Sequence, residues 1–111
     1  MSATTIDPAT FADLQDTAGA DFVAELVDTF AEEAPQMLAE IRAAHAEAAA
    51  ERFRRAAHSL KSNSGTFGAV KLAEMARALE LGGLPASSAP LDAVAAELEG
   101  TLAALKALAR G

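Results

Sequence analysis

The chain has 111 residues, of which 51% are hydrophobic, 23% charged and 5% aromatic, and it contains no cysteine. This length and apolar content predict one domain with one hydrophobic core, and they exclude intrinsic disorder and a disulfide framework. The net charge of −7 argues against nucleic-acid binding, because neutralising phosphates requires a surplus of lysine and arginine.

The N-terminal part of the chain predicts a short helix after a flexible start. Asp7 followed by Pro8 is typical of a helix N-cap with proline in the first turn. Gly19 ends this helix or lies in the turn that follows it. Residues 1–6 precede the cap, and we expect them to be flexible.

The next apolar pattern runs from Asp21 to about Ala49 and predicts either one long helix or two shorter ones. Pro35 interrupts the pattern, and the sequence leaves open whether this proline kinks one helix or occupies the first turn of a new one. A further helical pattern covers about Glu51 to Phe67, despite Gly65.

The C-terminal part predicts two more helices separated by a loop. One begins near Ala69 and ends at Gly82 and Gly83, a typical C-terminal stop. Residues 84–90 are rich in proline and serine and predict the loop, and the last helix begins near Leu91. Short connections between amphipathic helices predict a single all-α domain. Its expected architecture is an antiparallel up-down-up-down four-helix bundle with the short extra N-terminal helix packed alongside.

Apolar side chains at helical spacing define the faces that we expect in the core. These faces use all five phenylalanines and most leucines, which leaves little apolar surface for self-association, and we therefore expect a monomer. The predicted core positions are Phe11, Leu14, Phe22, Val23, Leu26, Val27, Phe30, Met37, Leu38, Ile41, Ala48, Phe53, Ala57, Leu60, Ser64, Phe67, Leu91, Val94, Leu98, Leu102, Leu105 and Leu108.

The sequence contains no evident membrane segment or signal peptide. No apolar stretch reaches the roughly 18 residues that a transmembrane helix needs. The N-terminus also lacks the basic and apolar regions of a signal peptide. We therefore expect a cytoplasmic protein that does not interact with membranes.

Basic residues are concentrated around one histidine. Residues 1–51 carry eleven acidic side chains and one basic one, whereas residues 52–111 carry five acidic and eight basic ones. On a helical wheel, His58 points away from the core face of its helix. Its neighbours on that outer face are three cationic and two small residues: Arg54, Arg55, Lys61, Ser62 and Gly65.

This arrangement suits phosphoryl transfer to an imidazole. A neutral imidazole nitrogen is a good nucleophile near neutral pH, and histidine is among the side chains that form covalent intermediates. Nearby lysine and arginine stabilise charge on a transferring phosphoryl group, while small residues let another surface approach the ring. An isolated histidine on a polar helix face is usually only solvated, so the wheel alone does not establish this chemistry.

The residues around His58 resemble the signature of histidine-containing phosphotransfer (HPt) domains of two-component phosphorelays. The matching segment is residues 57–69, AHSLKSNSGTFGA, and the family pattern is roughly A-H-x-L-K-G, a few small residues, an apolar residue and G-A. FAEEAP at residues 30–35 resembles the helix before the histidine helix. LAEM at residues 72–75 and LE at residues 79–80 resemble the helix after it. The resemblance covers about residues 11–108.

The resemblance implies roles for individual residues. His58 is the residue expected to accept a phosphoryl group on Nε2, and Lys61 resembles the family lysine that neutralises the phosphoryl oxygens. Glu80 stands at the place where relatives carry a Gln or Glu that hydrogen-bonds the other ring nitrogen. Ser62 stands where the family usually has glycine, and with Gly65 it is expected to form the face on which a receiver domain docks.

The resemblance also implies partners and a reaction. His58 would take a phosphoryl group from an aspartyl-phosphate of one receiver domain and pass it to the aspartate of another. The partners would be response-regulator receiver domains and a hybrid histidine kinase. The chain itself would be a carrier rather than an enzyme, with no ATP site, no cofactor and no metal. The Mg²⁺ is expected on the receiver domain.

A second hypothesis is a helical adaptor or dimerisation bundle in which His58 is incidental; such a protein would expose a large apolar surface. The remaining histidine, His45, stands among alanines and glutamates and is expected to be an ordinary surface residue. Two histidines thirteen positions apart, with no adjacent carboxylate pair, predict no metal site. Neither a P-loop nor a kinase glycine-rich loop occurs in the sequence.

Overall fold

Helices make up most of residues 6–110, the part of the chain that the computed structural model describes, and this part contains no strand. The five helices within it are α1 (Pro8–Ala18), α2 (Ala20–Ala46), α3 (Ala50–Thr66), α4 (Val70–Gly82) and α5 (Ala89–Arg110). Helices α2 to α5 form a ring in which each packs against its two neighbours, and α1 lies against α2. The predicted four-helix bundle with an additional N-terminal helix is confirmed.

The start of α1 is capped and is hydrogen-bonded to the turn between α3 and α4. The side chain of Asp7 accepts a hydrogen bond from the backbone N–H of Thr10 at 3.3 Å, and Pro8 lies in the first turn, as predicted. The backbone N–H of Asp7 donates to the carbonyl of Gly68 at 2.7 Å. Ile6 is buried in the core, and the rest of the segment predicted to be flexible, residues 1–5, lies outside the described residues.

Helix α2 passes through Pro35 without ending, so this proline does not separate two helices. The helix stops at Ala46, before the predicted end near Ala49, because Ala48 adopts a left-handed conformation with φ of 55°. The turn after it is only three residues long. Arg52 spans this turn through ion pairs with Glu40 at 2.8 Å and Glu47 at 2.6 Å.

Most predicted core positions are buried, and the aromatic rings of Phe30 and Phe67 lie 5.3 Å apart in the core. The expectation that all five phenylalanines belong to the core is wrong, because Phe22 is 52% exposed. The buried stripe of α2 runs through Val23 and Val27, and Phe22 lies about 100° round the helix from Val23. Leu108, also predicted to be in the core, is 40% exposed near the end of α5. Ala48 is exposed in the turn after α2.

His45 is not the ordinary surface residue that the sequence suggested. Its ring is part-buried, with Nε2 2.9 Å from the carbonyl oxygen of Pro85 and the ring centroid 6.2 Å from that of Phe53. The connection between α4 and α5 folds back over this end of the bundle, which brings residues 40 positions apart into contact. His45 therefore holds the loop before α5 against α2 and α3.

Among the described residues, no helix combines the length and the apolar character that crossing a membrane would need.

Candidate functional site

His58 lies in the middle of α3, on the face opposite the core. Phe53, Ala57 and Leu60 fill the core face of the helix, and each is fully buried. The His58 side chain is 53% exposed, and its Nδ1 lies 2.9 Å from Oε2 of Glu80. Because a carboxylate oxygen only accepts hydrogen bonds, Nδ1 carries a proton, and in the neutral imidazole the lone pair is then on Nε2.

Glu80 reaches His58 from the last turns of α4. On the same face of that helix, one and two turns earlier, lie Ala76 and Ala73, whose small side chains allow α3 and α4 to pack closely. The Glu80 side chain is only 12% exposed, so its carboxylate is held between the two helices.

Lys61 supplies the second contact of the same carboxylate. Its Nζ lies 3.0 Å from Oε1 of Glu80, and its side chain is 30% exposed. No donor among the described residues is aligned for a hydrogen bond to Oε1, so Lys61 acts on it as an ion-pair partner. Lys61 holds the pKa of Glu80 below its ordinary value, with a further contribution from His58, while desolvation of the carboxyl opposes this shift. The geometry brings together the three residues at the centre of the predicted site.

The two arginines of the predicted site lie beside the carboxylate of Glu51, which the helical wheel did not show. Arg54 forms two contacts with the carboxylate of Glu51, at 3.1 and 2.6 Å, and thereby lowers the pKa of that carboxyl. Arg55 is 68% exposed and lies 3.9 Å from the same carboxylate. The positive charge predicted around His58 is therefore partly neutralised within α3.

Ser62 and Gly65 continue the face of α3 beyond His58, and both are exposed. A Cβ atom built at Gly65 would meet no atom within 4 Å. Because these side chains are small, another protein could approach this part of α3 without steric conflict.

Arg77 is a residue near the site that the sequence analysis missed. It lies on α4 three residues before Glu80, and with Lys61 it lines a groove of about 340 Å³. Arg77 precedes Glu80 by three residues and therefore lies on the same face of α4, so the sequence alone could have placed Arg77 near the site. Within residues 6–110, no three histidine, aspartate or glutamate side chains come together in a way that could hold a metal ion.

Comparison with known proteins gives two matches. Residues 25–108 match the family model of the Hpt domain. The structure is similar to the crystal structure of histidine-containing phosphotransfer protein B (HptB) from Pseudomonas aeruginosa PAO1, with a TM-score of 0.77 and 28% sequence identity; the match covers 98% of this chain and 94% of that one. No curated protein sequence matches the chain.

Proposed function

Because the chain belongs to the Hpt domain family, whose members carry phosphoryl groups in phosphorelays, we propose that it accepts a phosphoryl group on His58 from a receiver-domain aspartyl-phosphate and passes it to the aspartate of another receiver domain. The observation that carries this proposal is the hydrogen bond between His58 Nδ1 and Glu80. In the neutral imidazole this hydrogen bond places the lone pair on Nε2, and the ring is exposed.

In the accepting step, the lone pair of Nε2 attacks the phosphorus atom and forms a P–N bond. The P–O bond to the receiver's aspartate breaks, and its electron pair leaves with the aspartate as a free carboxylate. The imidazole keeps its proton on Nδ1 and becomes positively charged. Glu80 accepts a hydrogen bond from that N–H and stabilises the positive charge. The donating step is the reverse, with the aspartate of the second receiver as the nucleophile.

Lys61 is the cation best placed to stabilise the transferring group. Its ammonium lies beside Glu80 and is part-exposed, so it can turn towards the oxygens of a phosphoryl group that arrives at Nε2. Arg54 and Arg55 would act at longer range, since Glu51 already neutralises part of their charge. Ser62 and Gly65 would form the surface that contacts the receiver.

The partners that fit this role are response-regulator receiver domains, one of them in a hybrid histidine kinase. The receiver would supply the Mg²⁺ and the acidic pocket that holds the reacting aspartate. The chain would act as a carrier without a nucleotide site of its own, and as in the family generally we place its action in the cytoplasm.

Replacing His58 by glutamine tests the proposal. We expect wild type to acquire an acid-labile, base-stable phosphoryl label from a phosphorylated receiver domain, and His58→Gln to acquire none. Because His58 lies off the core, its replacement should leave the melting temperature within about 2 °C of wild type, as for other surface substitutions.

The matched control is His45→Gln, which changes the other histidine in the chain. This variant should still accept the label, although its melting temperature should fall because the contact with Pro85 is altered. A label that persists in His58→Gln, or one that is stable to acid, would show that the acceptor has been misassigned.

A further inference from the structure

A groove between α3 and α4 continues from the functional site towards the N-terminal end of α4. Its volume is about 340 Å³. The lining residues are Thr10, Lys61, Gly65, Gly68, Val70, Ala73, Glu74 and Arg77. Lys61 belongs both to this groove and to the site around His58, so the two are continuous on the surface.

The middle of the groove is apolar and open. Val70 is 48% exposed, an unusual exposure for a valine next to a buried turn, and Gly65 opposite it leaves open space where a side chain would stand. Gly68 forms the closed end against α1, where a Cβ atom would lie 2.9 Å from Cβ of Thr10. The groove can therefore hold an apolar side chain of another molecule.

Charge distinguishes this groove from its counterpart on the other side of α3. The α3–α4 groove is lined by the cations Lys61 and Arg77 and by the carboxylate of Glu74, and Lys61 is already paired with Glu80. The groove between α2 and α3, of about 330 Å³, is lined by Glu33 and Glu40, of which Glu40 is already paired with Arg52 and Glu33 forms no ion pair with residues 6–110. Arg77 is exposed and forms no ion pair with any residue from 6 to 110.

A partner whose interface is centred on His58 also covers much of this groove. A standard protein interface buries about 800 Å² on each partner, which corresponds to a disc of about 16 Å radius. Gly65, which lines the groove, follows His58 by seven residues within α3, a distance of about 10 Å along the helix. A receiver domain that brings an acidic pocket to His58 meets the unpaired cation of Arg77 on the α4 side and the unpaired carboxylate of Glu33 on the α2 side, and this difference favours contact with the α4 side.

We propose that the α3–α4 groove orients and selects the receiver domain. An apolar side chain of the receiver enters the groove between Gly65 and Val70, and a carboxylate beside it pairs with Arg77. This inference rests on the proposed function and adds the part of the surface that distinguishes one receiver from another.

Two substitutions and two matched controls test the inference. Arg77→Glu reverses the charge at the rim, and Val70→Ser removes the apolar wall. Lys106→Glu makes the same charge reversal on α5, and Leu108→Ser makes the same apolar-to-polar change at a residue that is 40% exposed. Neither control residue lines the α3–α4 groove.

The measured quantity is a ratio of two rates. For each protein, kcat/KM for phosphoryl transfer from an isolated, phosphorylated receiver domain is divided by the labelling rate with a small phosphoramidate donor. Any change at His58 itself affects both rates and cancels in the ratio. The receiver is the one, from a panel of response-regulator receivers, that transfers fastest to wild type.

We expect Arg77→Glu to lower this ratio about tenfold or more at low salt and less at high salt, because electrostatic attraction accelerates encounter and is screened by ions. Val70→Ser should lower it severalfold at both salt concentrations. The two controls should stay within about twofold of wild type, as substitutions outside an interface do.

Equal ratios for the groove variants and their controls would overturn the inference while leaving the proposed function intact. Failure of wild type to accept a label from either donor would instead overturn the proposed function. If Val70→Ser changed the mass of the protein in solution without any receiver, the occupant of the groove would be a second copy of the chain, and the inference would be wrong.

Discussion

Glu80 uses each carboxylate oxygen for a different partner on α3, Oε2 for the ring of His58 and Oε1 for the ammonium of Lys61. The two contacts act differently on the proposed reaction. The contact with His58 selects the tautomer, whereas the contact with Lys61 keeps a cation beside the nucleophile. Since the carboxylate is largely buried between two helices, neither contact depends on a freely moving surface side chain.

Substitutions of Glu80 separate these two effects. Glutamine keeps an oxygen that can accept from Nδ1 but loses the negative charge, whereas alanine loses both. We expect Glu80→Ala to slow labelling of His58 by a small phosphoramidate donor at least about tenfold, because a hydrogen bond to a charged group is worth about 1.5–3 kcal/mol. Glu80→Gln should restore most of the lost rate.

The measurement is the initial labelling rate of each variant at neutral pH, with circular dichroism as a check on the fold. Equal slowing in the glutamine and alanine variants would mean that the charge of Glu80, rather than its hydrogen bond, supports the nucleophile. Wild-type rates in both variants would contradict a positioning role for Glu80.

At the scale of helices, the turn between α3 and α4 sets the position of α1 relative to these two helices. Gly68 has a φ of 78°, in the left-handed region that favours glycine, and its carbonyl accepts the N–H of Asp7. Its α-carbon faces Thr10 of α1 so closely that no side chain fits between them. This turn therefore joins three helices: it ends α3, begins α4 and anchors α1.

Two glycine-to-alanine substitutions on the same surface should have opposite effects on stability. Gly68→Ala should lower the free energy of unfolding by about 1–2 kcal/mol or more, from the left-handed conformation and the contact with Thr10. Gly65→Ala should raise it by up to about 1 kcal/mol, since Gly65 is within α3 and its Cβ would meet no other atom. Urea denaturation of both variants measures these changes.

A double-mutant cycle of Gly68→Ala and Thr10→Gly checks the cause of the loss. The single variant Thr10→Gly accounts separately for the lost hydrogen bond from the Thr10 hydroxyl to Asp7. Gly68→Ala should lower the free energy of unfolding less in the Thr10→Gly background than in wild type. An equal loss in both backgrounds would mean that the contact with Thr10 contributes nothing to the effect of Gly68→Ala.

At the scale of the whole molecule, the exposed apolar side chains are distributed over three helices. Phe22 lies on α2, Val70 and Leu81 on α4, and Leu108 on α5. The chain also carries a net charge of −7, so two copies repel each other at neutral pH. Both features favour a protein that meets its partners as a single copy.

We accordingly expect the mass of a monomer in light scattering over a wide range of concentrations at physiological salt. A dimer would instead support the alternative of an adaptor or dimerisation bundle. In that case Phe22→Ser would identify the interface, since Phe22 is the largest apolar side chain that the fold leaves more than half exposed. A monomer that also accepts phosphate on His58 would exclude the alternative.

The positions of most helices, the core face of α3 and the outward direction of His58 could be predicted from the amino-acid sequence alone. These features follow from local rules, namely the 3.6-residue period, capping residues and the glycines and prolines at helix ends. The motif around His58 likewise occupies one continuous segment, so its identification needed no tertiary information. Glu80 was found only through the resemblance, because its contact with His58 joins two helices.

The contacts that these side chains make depend on how the helices pack together. Helix α2 continues through Pro35, and its packing leaves Phe22 exposed. The loop before α5 folds back and partly buries His45. Arg54 forms its ion pair with Glu51 rather than with a residue of the site. The α3–α4 groove forms where the two helices meet the turn that contains Gly68. Each of these depends on the relative placement of helices and side chains, which hydrophobic periodicity does not encode.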